Sequence, residues 1–357
     1  PYGPTFLSLD GIVTRLSFHE VLADVVLLRL LAVVGVALIV AGLPTLARAA
    51  GRDPAAAVVL GAGSPVVLAT LLGGAHNDAL MVGLLVAGLA VVRRVGTVPG
   101  LVLCALAVGV KAPAALAVVF VGWNWAGPGA AFWSRVRRTV LALGIAGATL
   151  AVLSWVSGVG WGWLHTATAE SKVYTGVTPV DALAHLFTDG AHLVGWQVSI
   201  GSVRTVAGAA GLLAAAAITT VLLWRSPRIG MVQALGLSLL AFALLSPILW
   251  AWYASWGLVI LAPVAVGRVR RAVIAITVVE ALVGVSAVSG MVKSVAGAGV
   301  LNDALLLFGL AAAVLVASQP FRRYDGTPVL EIPWSGHRAD QPPGVTVTAI
   351  QRPQAAQ

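Results

Sequence analysis

Val110-Lys111-Ala112-Pro113 sits at the centre of an apolar stretch from Gly100 to Gly122, and its reading decides how this chain crosses a membrane. Taken whole, the stretch has the length of one transmembrane helix, about 20 residues. A cation and a proline at its midpoint argue against an unbroken helix. Proline lacks a backbone donor and pushes the residue before it out of helical geometry. Two half-helices forming a hairpin with Lys111 at its tip are one reading, and a single kinked span with Lys111 snorkelling is the other.

The surrounding sequence sets the context. Of 357 residues, 59% are hydrophobic and 10% charged, against roughly 25% charged in soluble domains. Apolar runs of about 20 residues recur without the alternation of barrel strands, which predicts an all-α, polytopic transmembrane bundle. Spans are expected near 24–46, 55–72, 79–92, 139–157, 205–224, 230–250, 254–267, 272–290 and 303–318. Basic clusters fall between them, at Arg48 and Arg52, Arg93 and Arg94, Arg135 with Arg137 and Arg138, Arg225 and Arg228, Arg268 with Arg270 and Arg271, and Arg322 and Arg323. Such clusters mark the cytoplasmic side, so the net charge of +9 reflects topology and implies no nucleic acid. Parity then requires an even number of crossings between Arg94 and Arg135, which favours the hairpin at Lys111.

On that scheme the chain divides into an outward amphipathic segment (1–23), a bundle (24–318) with a large outward loop at 158–204, and a disordered cytoplasmic tail (319–357). Phe6, Leu9, Ile12, Val13 and Leu16 have the spacing of a helix lying on a membrane surface. The chain begins Pro1-Tyr2-Gly3-Pro4, which reads as the later part of a longer polypeptide. Its single cysteine, Cys104, allows no internal disulfide.

Polar residues in apolar surroundings are the site candidates. Gly73-Gly74-Ala75-His76-Asn77-Asp78 interrupts two apolar runs and joins imidazole, amide and carboxylate. It offers a base and acceptors for sugar hydroxyls, or alternatively a helix cap at Asn77 or Asp78. His76 and Asp78 alone are too few to hold a metal ion. Arg29, Lys111 and Glu280 lie within spans, where charge costs at least about 2.5 kcal/mol. Arg29 and Lys111 suit a phosphate; Glu280 is free to pair with either or to face the bundle. Ser246-Pro247 leads into Trp250, Trp252, Tyr253 and Trp256, which serve as a membrane belt or as faces for sugar rings and prenyl chains. The long loop holds His165, Glu170, Lys172, Tyr174, Asp181, His185, Asp189 and His192 in no recognised catalytic spacing.

Together, Pro1-Tyr2-Gly3-Pro4, Arg29-Leu30-Leu31, the Gly73 to Asp78 loop, Lys111-Ala112-Pro113, Ser246-Pro247, Trp252-Tyr253 and Trp256-Gly257 resemble the actinobacterial polyprenol-phosphomannose-dependent α-1,6-mannosyltransferases of the GT-C membrane glycosyltransferases. The resemblance covers roughly residues 1–318, and the His-Asn-Asp loop is its most specific part. It implies a multi-pass plasma-membrane enzyme with its site outside. A polyprenyl-phosphate mannose donor and a mannan glycolipid acceptor, the core of lipomannan and lipoarabinomannan, follow from it, with inversion at the anomeric carbon. No cofactor is certain, and the need for a divalent metal is open.

The resemblance further implies that Tyr2, Arg29, His76, Asn77, Lys111, Trp252, Tyr253 and Trp256 bind substrate. GT-C enzymes carry the catalytic acid in the first outward loop, so the base is expected upstream of Pro1. Asp78 is the second candidate, as base or as an assisting carboxylate, and Asp10 the third. A transferase for another polyprenyl-phosphate sugar, or a transporter or lipid flippase, are the alternative readings.

Overall fold

The computed structural model describes residues 2–166, 178–248 and 250–284. These form helices only: α1 (Pro4–Leu16), α2 (Val21–Ala49), α3 (Pro54–Leu60), α4 (Asp78–Arg94), α5 (Thr97–Val110), α6 (Ala115–Trp125), α7 (Phe132–Val156), the short α8 (Trp163–Thr166), α9 (Pro179–Leu193), α10 (Ile200–Ile229), α11 (Met231–Leu245), α12 (Ser255–Leu261) and α13 (Gly267–Gly284). A π-helical segment, Val67–Gly73, precedes α4, and 3-10 turns at Ala112–Ala114 and Ala251–Ala254 precede α6 and α12. Helices α2, α7 and α10 are long and apolar enough to cross a membrane. The expected span 303–318 and the tail from 319 lie outside the described residues.

Close approaches between backbones fix the direction of each helix. Gly35 lies against Ala79 and Gly42 against Val86, so α2 and α4 run parallel. Gly88 meets Gly100 and Cys104, making α5 antiparallel to α4. Gly211 meets Leu245, and Gly236 meets Leu261, so α10, α11 and α12 alternate in direction. Helix α12 descends alongside α4, because Gly61 touches both Leu43 and Ala262 while Trp256 bonds Asp78. The C-terminal ends of α2, α4, α10 and α12 therefore share one end of the bundle.

At Lys111 the chain does turn back on itself. Lys111 is extended (φ −154°, ψ 132°) and ends α5, its N–H still donating to Ala107 O at 3.0 Å. Continuing the helix would drive the Pro113 ring into the carbonyl of Gly109. Helix α6 then runs back, since Asn124 near its end bonds Ser226 near the end of α10 at 2.9 Å. Arg135 seals the same end by donating to the carbonyls of Trp123 and Gly127, two groups that the end of α6 leaves open. Arg93 and Arg94 thus stand at the same end as Arg135, with Lys111 at the other, as charge parity demands.

One expected span is not continuous. The stretch 55–72 is split into α3 and the π-helical segment, with a turn at residues 61–64. Pro65 cannot donate to Gly61 and instead starts a new segment, where Ser64 Oγ accepts from Val67 N at 3.4 Å. The π-helical segment then meets α4 at 111°. Within the long loop, α9 forms because Thr178 caps it, accepting from Asp181 N at 2.8 Å, and Pro179 occupies its first turn.

The core fills the space between α4, α5, α6, α11 and α12, with Leu85, Leu101, Phe120, Leu235 and Trp256 fully enclosed. Helix α4 spans 17 residues, about 25 Å at 1.5 Å per residue. That is slightly less than a hydrocarbon core about 30 Å thick.

Candidate functional site

At the end opposite the arginines, three segments far apart in sequence converge. The first is the Gly74–Asn77 connection between the π-helical segment and α4. Ala75 adopts φ 53°, a left-handed conformation that costs an L-residue about 1 kcal/mol and reverses the chain here. Gly74 leaves room for the imidazole of His76, because a Cβ there would stand 2.9 Å from the ring. The second segment is the Lys111 tip and the third the aromatic turn from Ser246 to Trp256.

Asp78 is the centre of the cluster. Its side chain is fully buried, and Lys111 Nζ donates to both carboxylate oxygens at 3.1 and 3.0 Å. Trp256 Nε1 donates to Oδ1 at 2.6 Å. Two donors leave little of the carboxylate free, and removing either charge would strand the other in an apolar interior. Lys111 also stands 4.4 Å from the centre of the Tyr253 ring and 5.6 Å from that of Trp256, cation–π distances that lower the cost of its burial. The ammonium has three protons, and the two on Asp78 leave one for a ligand.

A second layer is built from ring faces. Trp252 stacks on His76 at 3.7 Å and on Trp250 at 5.1 Å, while Tyr253 stacks on Trp256 at 4.2 Å. The imidazole is thereby fixed against the aromatic turn. Burial pushes its pKa below the ordinary value of 6.5; the Asp78 carboxylate opposes the shift and the Lys111 ammonium adds to it. Arg29, exposed on α2, donates from Nη1 to Gly73 O at 3.3 Å. Its guanidinium is thus tethered beside the loop with most of its donors turned outward.

The structure brings together His76, Asp78, Lys111, Trp252, Tyr253 and Trp256, with Arg29 at the margin. Asn77 adjoins them without capping α4. Its side chain makes no cap bond, and its buried Nδ2 has no hydrogen-bond partner among the described residues. Tyr2 is 44% exposed and packs on Phe6; its neighbour Gly3 touches Gly109, close to the Lys111 tip. Asp10 lies on α1, and among the described residues no bond joins it to the cluster. Glu280 pairs with neither Arg29 nor Lys111, whose partners are Gly73 and Asp78. Among the described residues, no three of His, Cys, Asp and Glu gather as metal ligands would.

A clamp on α9 is the feature that sequence reasoning misses. Asp181, 2% exposed, accepts from Arg204 Nε at 2.5 Å and Nη2 at 3.2 Å, with His185 3.1 Å from Nη2. The i, i+4 spacing of Asp181 and His185 is a visible signal, but the cation facing them lies 23 residues away from Asp181. Glu170, Lys172 and Tyr174 lie outside the described residues.

Comparison with known proteins bears on this arrangement. Residues 1–127 match the N-terminal domain of the alpha-(1->6)-mannopyranosyltransferase family, and residues 180–319 match the MptB C-terminal domain. An alpha-(1->6)-mannopyranosyltransferase A of Mycobacterium tuberculosis is 34% identical over 290 residues, covering 77% of this chain and 54% of the relative. A probable alpha-(1->6)-mannopyranosyltransferase of Mycolicibacterium smegmatis is 31% identical over 326 residues, covering 80% and 57%. In Corynebacterium glutamicum an alpha-(1->6)-mannopyranosyltransferase A is 33% identical over 189 residues, covering 48% and 39%. The chain thus spans about half the length of the curated relatives it matches. No solved structure matches. Matches to both domains, with a relative 34% identical over 77% of the chain, show that this chain belongs to the MptA/MptB family of alpha-(1->6)-mannopyranosyltransferases.

Proposed function

We propose that the protein transfers mannose from a polyprenyl-phosphate donor to an α-1,6-mannan acceptor, the core of lipomannan and lipoarabinomannan, at the outer face of the plasma membrane. The observation that carries this reading is the Lys111 ammonium, held at the helix-hairpin tip by Asp78 with one proton uncommitted. The arginine clusters gather at the opposite end, and cytoplasmic loops are the ones enriched in arginine, so the Lys111 end faces outward. At the boundary of the bundle, it meets a lipid phosphate at headgroup depth.

In this reading Arg29 and Lys111 neutralise the phosphate as it leaves with the electrons of the C1–O bond. Asp78 orients Lys111 and the Trp256 indole. Its own oxygens are engaged, so it serves as a positioning carboxylate. The acceptor hydroxyl attacks the opposite face of C1, with inversion. Its proton passes to a carboxylate base, which family resemblance assigns to a first outward loop. The exposed Trp250, with Trp252 stacked behind it, covers the C–H face of a mannose ring or the first prenyl unit. Asn77 offers its unpartnered amide to a sugar hydroxyl, and Tyr2 borders the acceptor approach.

Sealed vesicles carrying the protein test both chemistry and sidedness. With polyprenyl-phosphate mannose in the bilayer and a soluble α-1,6-mannoside supplied outside, right-side-out vesicles extend the mannoside and inside-out vesicles do not. Arg29→Gln, equally expressed, raises the KM for donor about tenfold, the worth of one charge-assisted contact. Absence of mannosyl transfer in both orientations overturns the function, and transfer confined to inside-out vesicles overturns the orientation.

A further inference from the structure

Helix α13 turns back along α12, so its later turns stand beside the Ala251–Ala254 turn and the Val67–Gly73 segment. Val273, Ile276, Thr277, Glu280 and Ala281 have helical spacing and form its buried face. The apolar members pack in the ordinary way, but two polar ones do not fit a packing role. Glu280 is 1% exposed and Thr277 3%. Neither Glu280 Oε1 nor Thr277 Oγ1 has a hydrogen-bond partner among the described residues.

Each half of this observation is unusual. A helical threonine ordinarily returns its hydroxyl to the carbonyl four residues back, as Thr139 and Thr149 do at 2.9 and 2.8 Å. A buried carboxyl is ordinarily paired or hydrogen-bonded. Thr277 and Glu280, one turn apart, are satisfied neither way. Of the cations of the site, Lys111 already belongs to Asp78 and Arg29 donates to Gly73 O. What this face offers is one hydroxyl and one carboxyl, side by side, at the level of the aromatic turn.

We propose that Glu280 and Thr277 read hydroxyls of the transferred hexose, which makes Glu280 a specificity-determining residue of the site. The inference rests on the mannosyl-transfer reading above. A carboxylate accepts from adjacent sugar hydroxyls, and a threonine hydroxyl both donates and accepts. Trp252 and Tyr253 belong to the turn against which α13 packs. Polar groups beside an aromatic turn distinguish hexoses by where their hydroxyls point. A wall of this kind rejects a sugar whose hydroxyl leaves it unpaired far more strongly than an apolar pocket rejects extra bulk.

The test compares polyprenyl-phosphate mannose with its C2 epimer, polyprenyl-phosphate glucose, as donors for the membrane-embedded protein. Glu280→Gln is expected to lower the mannose-to-glucose ratio of kcat/KM roughly tenfold, mostly through the KM for mannose, and Thr277→Val to lower it less. Thermal unfolding is read alongside and should be unchanged or later, since an unpaired carboxyl has been removed. An unchanged ratio overturns the inference, as does an equal loss for both donors accompanied by earlier unfolding. If Glu280→Gln fails to fold, the ratio for Thr277→Val decides by the same criterion. Wild-type protein that transfers neither sugar and shows no tryptophan quenching by either donor sinks the mannosyl-transfer reading, whereas wild-type transfer with an unmoved ratio sinks the Glu280 assignment alone.

Discussion

Two aspartates of this chain are buried beside a cation near the start of a helix, and their surroundings give them different work. Asp181, near the start of α9, meets Arg204 of α10 through a two-pronged contact in which both carboxylate oxygens are taken. The guanidinium is planar and matches the carboxylate, so the pair is complete and ties α9 to α10. Asp78, at the start of α4, meets Lys111, a compact charge that fills two bonds and keeps a third donor. Around Asp181 stand Thr178 and His185; around Asp78 stand an indole N–H and two ring faces. A buried ion pair acts as a latch where a planar fork takes both carboxylate oxygens to join two helices, and as a site where a compact cation stands among ring faces with a donor to spare.

The largest expected effect falls on the unfinished pair. Lys111→Met and Asp78→Asn each reduce transfer at least about 100-fold, and each alone destabilises by about 3–5 kcal/mol because one charge is left uncompensated. The double variant recovers most of the stability and none of the activity. Thermal unfolding followed with a thiol-reactive dye at the buried Cys104 reads the first, and mannosyl transfer reads the second. Recovery of transfer in the double variant would erase the distinction between site and latch.

A smaller effect belongs to the clamp. Arg204→Gln lowers stability by about 1–3 kcal/mol, the range for hydrogen bonds to charged groups, and leaves kcat/KM within about threefold of the wild type. A tenfold loss of transfer with unaltered unfolding would move Asp181 and Arg204 into the active site. The smallest effect concerns His76. Its folded pKa lies below 6.5, so below that pH the unfolded chain takes up the proton first. Stability is therefore insensitive to this group above 6.5 and declines as pH falls toward the depressed value. His76→Gln removes that acid-side slope, and a slope unchanged in the variant would free the imidazole from the Trp252 stack.

Much of this arrangement is legible in the amino-acid sequence. Hydropathy locates the long helices, arginine spacing tells which ends share a side, and Lys111-Ala112-Pro113 breaks a span for a steric reason that needs no neighbours. His76, Asp78, Lys111, Trp252, Tyr253 and Trp256 stand out because polar and aromatic residues at a span boundary have few bland explanations. What stays hidden is who pairs with whom. Trp256 and Asp78 are 178 residues apart, and nothing in their local sequence assigns Lys111 to Asp78 rather than to Glu280. The break at Gly61 to Ser64 is also concealed, since an apolar turn scores like an apolar helix and Pro65 alone does not separate a kink from a break. Asp181 is visible as one acid among several in a long loop; its importance depends on a burial that composition does not encode.

The contact between Gly35 and Ala79 has a mechanical consequence. With no side chain at Gly35 or Gly83, the backbones of α2 and α4 touch, and a methyl group at either position would force them apart. Helices in such contact cannot slide along one another without steric collision, so Arg29 and Asp78 move as parts of a single jaw. The facing jaw is the turn from Ser246 to Ala254, built from bends and a 3-10 turn and lacking the regular hydrogen-bond ladder that stiffens a helix. The backbones that carry Arg29 and Asp78, by contrast, are held at one spacing, set by two glycines.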